Sequence, residues 1–197
     1  AATTPIDALV AAVERAGYRA HVKADPEKER AEDAARKAAA YRKLRTEAPT
    51  LASKLSSNAA FGAWYKRNVH PHRMAGYAAV TLSLKKTGVP PGDATAAQMD
   101  AIASIADRYS FGEVRVTHEQ NIVLADVEQE RLHELWQEVR ALGLATPNIG
   151  LLTNIISCPG GDFCSLANAR SIPIAEDITR RFDDLDYLFD IGELDLN

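Results

Sequence analysis

Apolar residues recur with a helical period in two stretches of the central chain. Residues 99–109 place them three or four positions apart, which predicts an amphipathic helix, and Thr95 with Gln98 three residues later forms a capping box at its start. Residues 132–142 repeat the spacing and are followed by Gly143, a common helix stop signal. The pattern therefore predicts two helices in this part of the chain.

Short runs of strand-forming residues surround these two helices. Residues 77–84 have strand composition, residues 113–117 and 121–124 predict a hairpin, and residues 151–156 predict a last strand. The order is strand, helix, strand, strand, helix, strand, which is the split pattern of a ferredoxin-like fold. We therefore predict an α+β protein: a ferredoxin-like βαββαβ module with a helical N-terminal extension and the start of a second α/β module.

The first part of the chain resembles a connector rather than a folded body. Residues 4–16 predict a short helix, residues 25–45 predict a charged, exposed helix or linker, and residues 47–58 predict a loop. Aromatic side chains at helical spacing then follow within residues 61–65. We expect the compact body of the protein to begin after this segment.

Composition and charge narrow the possible function classes. The chain has 197 residues, of which 46% are hydrophobic, and a formal net charge of -4. This charge provides no general attraction to nucleic acid or anionic lipid, so we expect neither as a partner. No signal peptide or membrane segment is predicted, and two cysteines indicate a reducing compartment, which we take to be the cytoplasm.

Cys158 and Cys164 are the only cysteines, and they lie in the glycine-rich segment CPGGDFC. Thiolates are the usual ligands of iron–sulfur clusters, and glycines allow backbone amides to approach an anionic centre. Spacing alone leaves other interpretations open, namely two inert buried thiols or a local disulfide, whereas no histidine has zinc-site spacing to the pair. The predicted strand places Cys158 at its carboxyl end, and a helix predicted at residues 165–171, before Pro173, places Cys164 at a helix mouth. Residues 174–182 predict a further helix, and residues 193–197 predict a strand.

Three segments in order resemble the nitrite and sulfite reductase haemoprotein family. They are residues 76–85, residues 111–121 and the cysteine segment with its following residues, 158–167. The resemblance extends over about residues 64–197. Members of this family hold a sirohaem coupled to a 4Fe-4S cluster.

The resemblance implies a domain organisation for the chain. Residues 1–64 would be the helical tail of a preceding module and a linker, residues 65–145 a ferredoxin-like half domain, and residues 146–197 the truncated start of a sirohaem- and cluster-binding domain. In the family this pair of modules occurs twice, and the chain resembles the second pair. We therefore expect it to be a fragment of a longer protein.

The resemblance also implies which residues bind cofactors. Cys158 and Cys164 would be the first two cluster ligands, and a C-x3-C motif expected beyond residue 197 would supply the others. On the predicted hairpin, Gln120 and Asn121 are candidates for contacts with a cofactor edge, although their residue types also suit hairpin turn chemistry. Arg115 is a candidate partner of a sirohaem carboxylate, although a strand arginine is more often a solvated surface residue. No catalytic residue is assigned.

The function implied by the resemblance is that of an assimilatory sulfite or nitrite reductase. Such an enzyme reduces sulfite to sulfide or nitrite to ammonia by six electrons, supplied by a flavoprotein reductase or ferredoxin. We expect this chain alone to bind neither cofactor stably and to be inactive, because two thiolates leave half of the cluster coordination unfilled. Two alternatives are a non-catalytic ferredoxin-like interaction or regulatory domain with structural thiols, and a small cluster protein that completes its ligands by dimerising.

Overall fold

The structure is a computed structural model that describes residue 15, residues 25–41, residue 44 and residues 49–183. By its internal contacts the chain divides into two units, Ala1–Arg42 and Lys43–Asn197. The helix predicted at residues 4–16 lies outside the described residues except for Arg15, which is helical. None of the described helices is long and apolar enough to cross a membrane.

The first unit contributes helix α1, Pro26–Ala40. Asp25 caps its start, because the side chain accepts a hydrogen bond from the backbone N–H of Glu27. Most of the described side chains of α1 are exposed. The prediction of an exposed helix in this region, made from the absence of an apolar stripe, is therefore confirmed.

The second unit begins with two helices, α2 (Pro49–Ser57) and α3 (Ala59–Asn68). The loop predicted at residues 47–58 is wrong for residues 49–57, which are helical, and residues 47 and 48 lie outside the described residues. Serine and asparagine are common in loops, but Leu51 and Leu55 lie four residues apart and both pack against the hydrophobic core. Asn58 then ends one helix and starts the next, since its side chain accepts a hydrogen bond from the N–H of Phe61.

Helix α3 places aromatic side chains at the centre of the core. Phe61 and Trp64 are fully buried, with ring centroids 5.9 Å apart, and Phe61 also lies 5.5 Å from the ring of Trp136. Both belong to the same cluster of buried residues as strand residues Val80 and Leu124. The core of the second unit therefore includes side chains from the segment expected to be a connector.

In the part of the chain that the structure describes, the sheet has four antiparallel strands in the order β1-β2-β4-β3. The strands are β1 (Val69–Pro71), β2 (Tyr77–Leu82), β3 (Arg115–Val116) and β4 (Ile122–Glu128). The last two pair as the predicted hairpin. Between β2 and β3 lies helix α4 (Ala96–Tyr109), and helix α5 (Leu132–Ala141) follows β4.

The two predicted helices are confirmed, and so is the fold class. Thr95 and Gln98 form the expected capping box at the start of α4, and Gly143 follows α5 with a positive φ of 73°. Apolar residues of both helices join those of β2 and β4 in the main core. The four-stranded antiparallel sheet with two helices is an α+β arrangement of the ferredoxin-like kind.

The predicted strand at residues 151–156 is wrong, because these residues form turns and irregular backbone. The edge of the sheet beside β2 is already occupied by β1, which precedes β2 in the chain. Local bonds use the backbone instead, for example from the N–H of Asn154 to the carbonyl of Leu151 at 2.8 Å. Leu151 and Ile155 are nevertheless buried, so the apolar pattern indicated burial rather than a strand.

The last described helix is α6, Ser171–Arg181. The helix predicted at residues 165–171 is wrong, because most of that stretch forms turns and bends. Pro173 lies in the first turn of α6, where a proline is tolerated since its missing N–H would have no helical partner. Proline therefore marks a helix start here, and the helix predicted at residues 174–182 is confirmed. The strand predicted at residues 193–197 lies outside the described residues.

Candidate functional site

The two cysteines lie on a loop between the core and α6. We call residues 158–164 the cysteine loop; it contains a single 3₁₀ turn, Gly160–Asp162. Cys158 and Cys164 are both exposed and both are free thiols. The expected placement at a strand end and a helix mouth is wrong, since the residues directly before Cys158 form no strand and α6 begins only at Ser171. The alternatives of buried thiols and of a local disulfide are also wrong for this structure.

Gly160 allows the cysteine loop to close against the chain that enters α6. Its φ is +61°, and an added Cβ would lie only 2.5 Å from Ser171 Oγ and 2.7 Å from the carbonyl oxygen of Ala169. The neighbouring Gly161 donates its N–H to that same carbonyl at 2.8 Å. A side chain at position 160 would therefore meet both an unfavourable backbone conformation and a backbone atom.

Further hydrogen bonds hold the cysteine loop in this closed form. Ser171 Oγ donates to the carbonyl of Cys158 at 2.5 Å, and the N–H of Cys164 donates to the carbonyl of Gly160 at 2.9 Å. Arg170 Nε donates to Asp162 Oδ1 at 2.7 Å, which adds an ion pair at the protein surface. The loop that carries the thiols is therefore shaped by the protein's own contacts.

Gln120 joins the β3–β4 hairpin to the residue before Cys158. Its Nε2 donates to the carbonyl of Ser157 at 2.7 Å, and its Oε1 accepts the N–H of Ser157 at 3.1 Å. The side-chain amide thus bonds both polar groups of one residue, as a neighbouring strand would. Gln120 itself adopts a positive φ of 58°, so it combines the expected turn role with a contact to the cysteine segment.

Asn121 makes a second connection from the hairpin. It is 1% exposed, its Oδ1 accepts the N–H of Leu84 at 3.1 Å, and its Nδ2 donates to Asn154 Oδ1 at 2.9 Å. The residue therefore links the end of β2 with the segment that leads to the cysteines. Its contacts lie within the protein, and a contact with a cofactor stays a prediction for both Gln120 and Asn121.

Lys85 contacts the residues that precede Cys158 and was not among the site residues predicted from the sequence. The residue is 2% exposed, and its Nζ donates to the carbonyl of Ile155 at 2.7 Å and to Gln120 Oε1 at 2.9 Å. Burial lowers the pKa of Lys85 to about 8, and the nearby carboxylate of Glu119 opposes this shift. The signal in the sequence was the mostly apolar composition of β2, which indicates a strand covered on both faces.

Asn148 supports the segment from the other side and was also missed. It is fully buried, and its Oδ1 accepts a hydrogen bond from Ser83 Oγ at 2.7 Å. Its Nδ2 lies within 3.2 Å of the carbonyls of Lys85 and Thr153. Asn148 thus satisfies polar groups of an irregular segment that has no sheet partner.

Arg115 lies outside this network. The residue is exposed, and its guanidinium pairs with Glu113 on the same hairpin. Within the described part of the chain, no hydrogen bond or ion pair joins Arg115 to the cysteine loop. Of the predicted site residues, the structure therefore brings Gln120 and Asn121 next to residues 154–157, which lead to the cysteine loop, and leaves Arg115 apart. The pairing of Arg115 with a sirohaem carboxylate stays a prediction.

The cysteine loop can supply part of a metal site. Among the described residues, no group of three or more His, Cys, Asp or Glu side chains is placed to hold a metal ion. Two accessible thiols on a loop with a tight glycine turn nevertheless suit the donor chemistry of an iron–sulfur centre. The residues present thus fit such a group as two ligands of a larger set.

A comparison with protein families finds a match in the central part of the chain. Residues 70–142 match the family model described as the nitrite/sulfite reductase ferredoxin-like half domain. This range contains the four-stranded sheet from its second residue onward, with α4 and α5. The match agrees with the fold deduced from the strand order.

Three relatives illustrate the similarity. The chain is 36% identical over 127 residues to the chloroplastic ferredoxin--nitrite reductase of Zea mays, which covers 60% of this chain and 21% of the relative. It is 32% identical over 127 residues to the ferredoxin--nitrite reductase of Synechococcus elongatus, covering 61% and 24%. For sulfite reductase [ferredoxin] 2 of Mycolicibacterium paratuberculosis the identity is 27% over 128 residues, covering 62% and 23%. The chain spans about a fifth to a quarter of the length of these curated relatives.

Proposed function

We propose that this chain, whose residues 70–142 match the model of the nitrite/sulfite reductase ferredoxin-like half domain, is part of a reductase that contains sirohaem and a 4Fe-4S cluster. The observation that carries the proposal is the pair of exposed free thiols on a closed glycine loop, attached to that half domain through Gln120. The proposed domains are residues 1–64, 65–145 and 146–197, with the roles that the family resemblance implies.

Cys158 and Cys164 would bind two irons of the cluster, and ligands from elsewhere in the whole protein would complete it. When bound, the cluster and the sirohaem supply the electron-transfer and substrate-reduction chemistry. The residues of this chain hold and orient the ligands. Gly160 allows the loop to close, and Gln120 fixes the peptide that immediately precedes Cys158.

Exposure of the thiols favours this proposal over a non-catalytic domain with structural thiols. A structural cysteine normally packs in the interior as a small apolar side chain. Here both cysteines are exposed, and so are Phe163 and Leu166 beside Cys164, with 81% and 89% of their surface accessible. The polar bonds of the cysteine loop hold its backbone and leave the sulfur atoms available as ligands.

For the whole protein we propose nitrite as the first candidate substrate and sulfite as the second. The nitrite reductases reported above are 32–36% identical to this chain, whereas the sulfite reductase is 27% identical. All three relatives are named for ferredoxin, which makes ferredoxin the proposed electron donor ahead of a flavoprotein reductase. The cytoplasmic location expected from the cysteine content is kept as part of this proposal.

The test uses the whole protein that contains this chain, purified without oxygen. Iron and acid-labile sulfide per chain are measured in the wild type, in C158S and in C164S, with S165A as the control in the neighbouring exposed position. We expect both cysteine variants to lose the cluster and S165A to retain it. Wild-type iron and sulfide content in either cysteine variant would contradict the proposal.

The same measurement distinguishes the remaining alternative of a cluster shared between two copies. The 197-residue chain is reconstituted alone with iron and sulfide and compared with the whole protein. We expect little stable iron in the chain alone and a full cluster in the whole protein. Equal iron per chain, together with the mass of a dimer in solution, would favour a cluster shared by two copies.

A further inference from the structure

Lys85 is a buried cation without a buried counterion. Its ammonium donates to one backbone carbonyl and one side-chain amide, and no carboxylate lies within ion-pair distance of it among the described residues. Burying a charge in this way costs free energy, and an apolar side chain of similar volume usually gives a more stable fold. Stability of the core alone therefore does not explain a lysine at this position.

The two acceptors of Lys85 belong to different parts of the chain. One is the carbonyl of Ile155, three residues before Cys158, and the other is Gln120 Oε1 on the hairpin. That same oxygen accepts the N–H of Ser157. The ammonium thus bonds Ile155 directly and is linked to Ser157 through the side-chain amide of Gln120.

We propose that Lys85 is a positioning residue for Cys158, which fixes the backbone of residues 155–157 against the half domain before any metal is bound. The inference rests on the proposed function only in taking Cys158 as a cluster ligand. An irregular segment without sheet bonds needs other partners for its carbonyls, and the long flexible stem of lysine reaches them from the end of β2. The side chain thereby does for this segment what a neighbouring strand would do.

The chain itself is sufficient for the test, which measures backbone hydrogen exchange by mass spectrometry in K85M and in the wild type. Methionine keeps an unbranched apolar stem as long as that of lysine without its ammonium, and it cannot donate a hydrogen bond. The control is K86M, because Lys86 is the adjacent residue and is exposed. Peptides that cover residues 155–158 report the site, and peptides from β4 report the core.

We expect exchange at residues 155–158 to become about tenfold faster in K85M, which corresponds to losing one hydrogen bond from a charged donor. Exchange in β4 is expected to stay within about twofold of the wild type, and K86M is expected to behave as the wild type. Unchanged exchange at residues 155–158 would overturn the proposal, and so would an equal acceleration in β4, which would show a general loss of stability.

A second variant covers the case in which K85M does not fold. K85Q keeps an N–H donor on a shorter side chain, and the same local acceleration is expected from its lost reach to Ile155. These measurements need no metal, so their outcome is independent of the cluster content of C158S. If exchange at residues 155–158 is faster in K85M and C158S still holds its cluster, the cluster role of Cys158 is refuted and the contact of Lys85 with the backbone stands. If exchange is unchanged in K85M and C158S loses its cluster, only the positioning role of Lys85 is refuted.

Discussion

Replacing Gly160 by alanine tests whether the closed form of the cysteine loop depends on one glycine. The added Cβ would face Ser171 Oγ at 2.5 Å, the carbonyl oxygen of Ala169 at 2.7 Å and the N–H of Ser171 at 3.0 Å. Real Cβ contacts are longer than this, and two of the three atoms belong to the backbone. The loop must therefore move away from residues 169–171 to accept the methyl group.

The expected magnitude has two parts. A residue with a side chain at a φ of +61° costs about 1–2 kcal/mol relative to glycine. Displacement of Ser171 also weakens its 2.5 Å hydrogen bond to the carbonyl of Cys158, which is worth about 1 kcal/mol. Together these effects make the closed loop less stable by about 2–3 kcal/mol, which corresponds to a roughly 30- to 150-fold increase in local opening.

The assay is hydrogen exchange of peptides from the cysteine loop in G160A, with two matched controls. G88A places the same side chain at a φ of +82° with nothing within 4 Å, so it reports the backbone conformation alone. G161A adds a Cβ 3.3 Å from the carbonyl of Ala169 without a positive φ. We expect exchange in the cysteine loop to become much faster in G160A, slightly faster in G161A and unchanged in G88A. Wild-type exchange in the loop of G160A would refute the reasoning.

Three further predictions concern the surroundings of the loop. The pKa of Lys85 is about 8 in the folded chain and 10.5 in the unfolded chain, so between these pH values the unfolded chain binds more protons and the free energy of unfolding rises with pH. In K85M this rise is expected to be smaller than in the wild type by about 3 kcal/mol. Urea unfolding across this pH range measures it, and parallel curves would contradict it. N148A should lower stability by about 2–3 kcal/mol at neutral pH, since it leaves Ser83 Oγ and buried carbonyls without their partner; a change below about 0.5 kcal/mol would count against this network. W64A should lower stability by about 3–5 kcal/mol in the same assay, because Trp64 is fully buried in the core, and a mild effect would contradict that placement.

Local sequence patterns were sufficient to predict α4, α5 and the hairpin of β3 and β4. The capping box at Thr95 and the stop at Gly143 placed α4 and α5 correctly, because each depends on local hydrogen bonding and local backbone conformation. The hairpin of β3 and β4 followed in the same way from a short polar turn between two strand-forming runs. These signals are local, so the sequence contains them in full.

The errors arose where burial came from distant parts of the chain. Residues 151–156 are apolar because they are buried, but the sheet position beside β2 belongs to β1, and no local pattern shows which segment takes an edge. Residues 49–57, predicted as part of a loop, are helical for a related reason. Leu51 and Leu55 pack against a core that other parts of the chain form, and the local sequence does not show that core.

The residues that would bind a metal were predictable from the sequence, whereas most of the residues that position them were not. The two cysteines stand out in the sequence because two thiols in one glycine-rich segment are typical of few kinds of site, among them metal and cluster sites. Lys85 does not, because a lysine after a strand usually faces water, and only the folded chain shows the carbonyl of Ile155 at 2.7 Å. Gln120 was singled out from the sequence, but its pairing with Ser157 depends on contacts between residues that are far apart in the chain.

The most direct test of the account is to locate iron in the whole protein. An anomalous-difference map, calculated from diffraction data recorded at the iron absorption edge on crystals of anaerobically purified protein, shows the position of each bound iron as a peak. The account predicts iron within bonding distance of the sulfur atoms of both Cys158 and Cys164. Iron bound elsewhere, with both of these thiols free or joined in a disulfide, would contradict it.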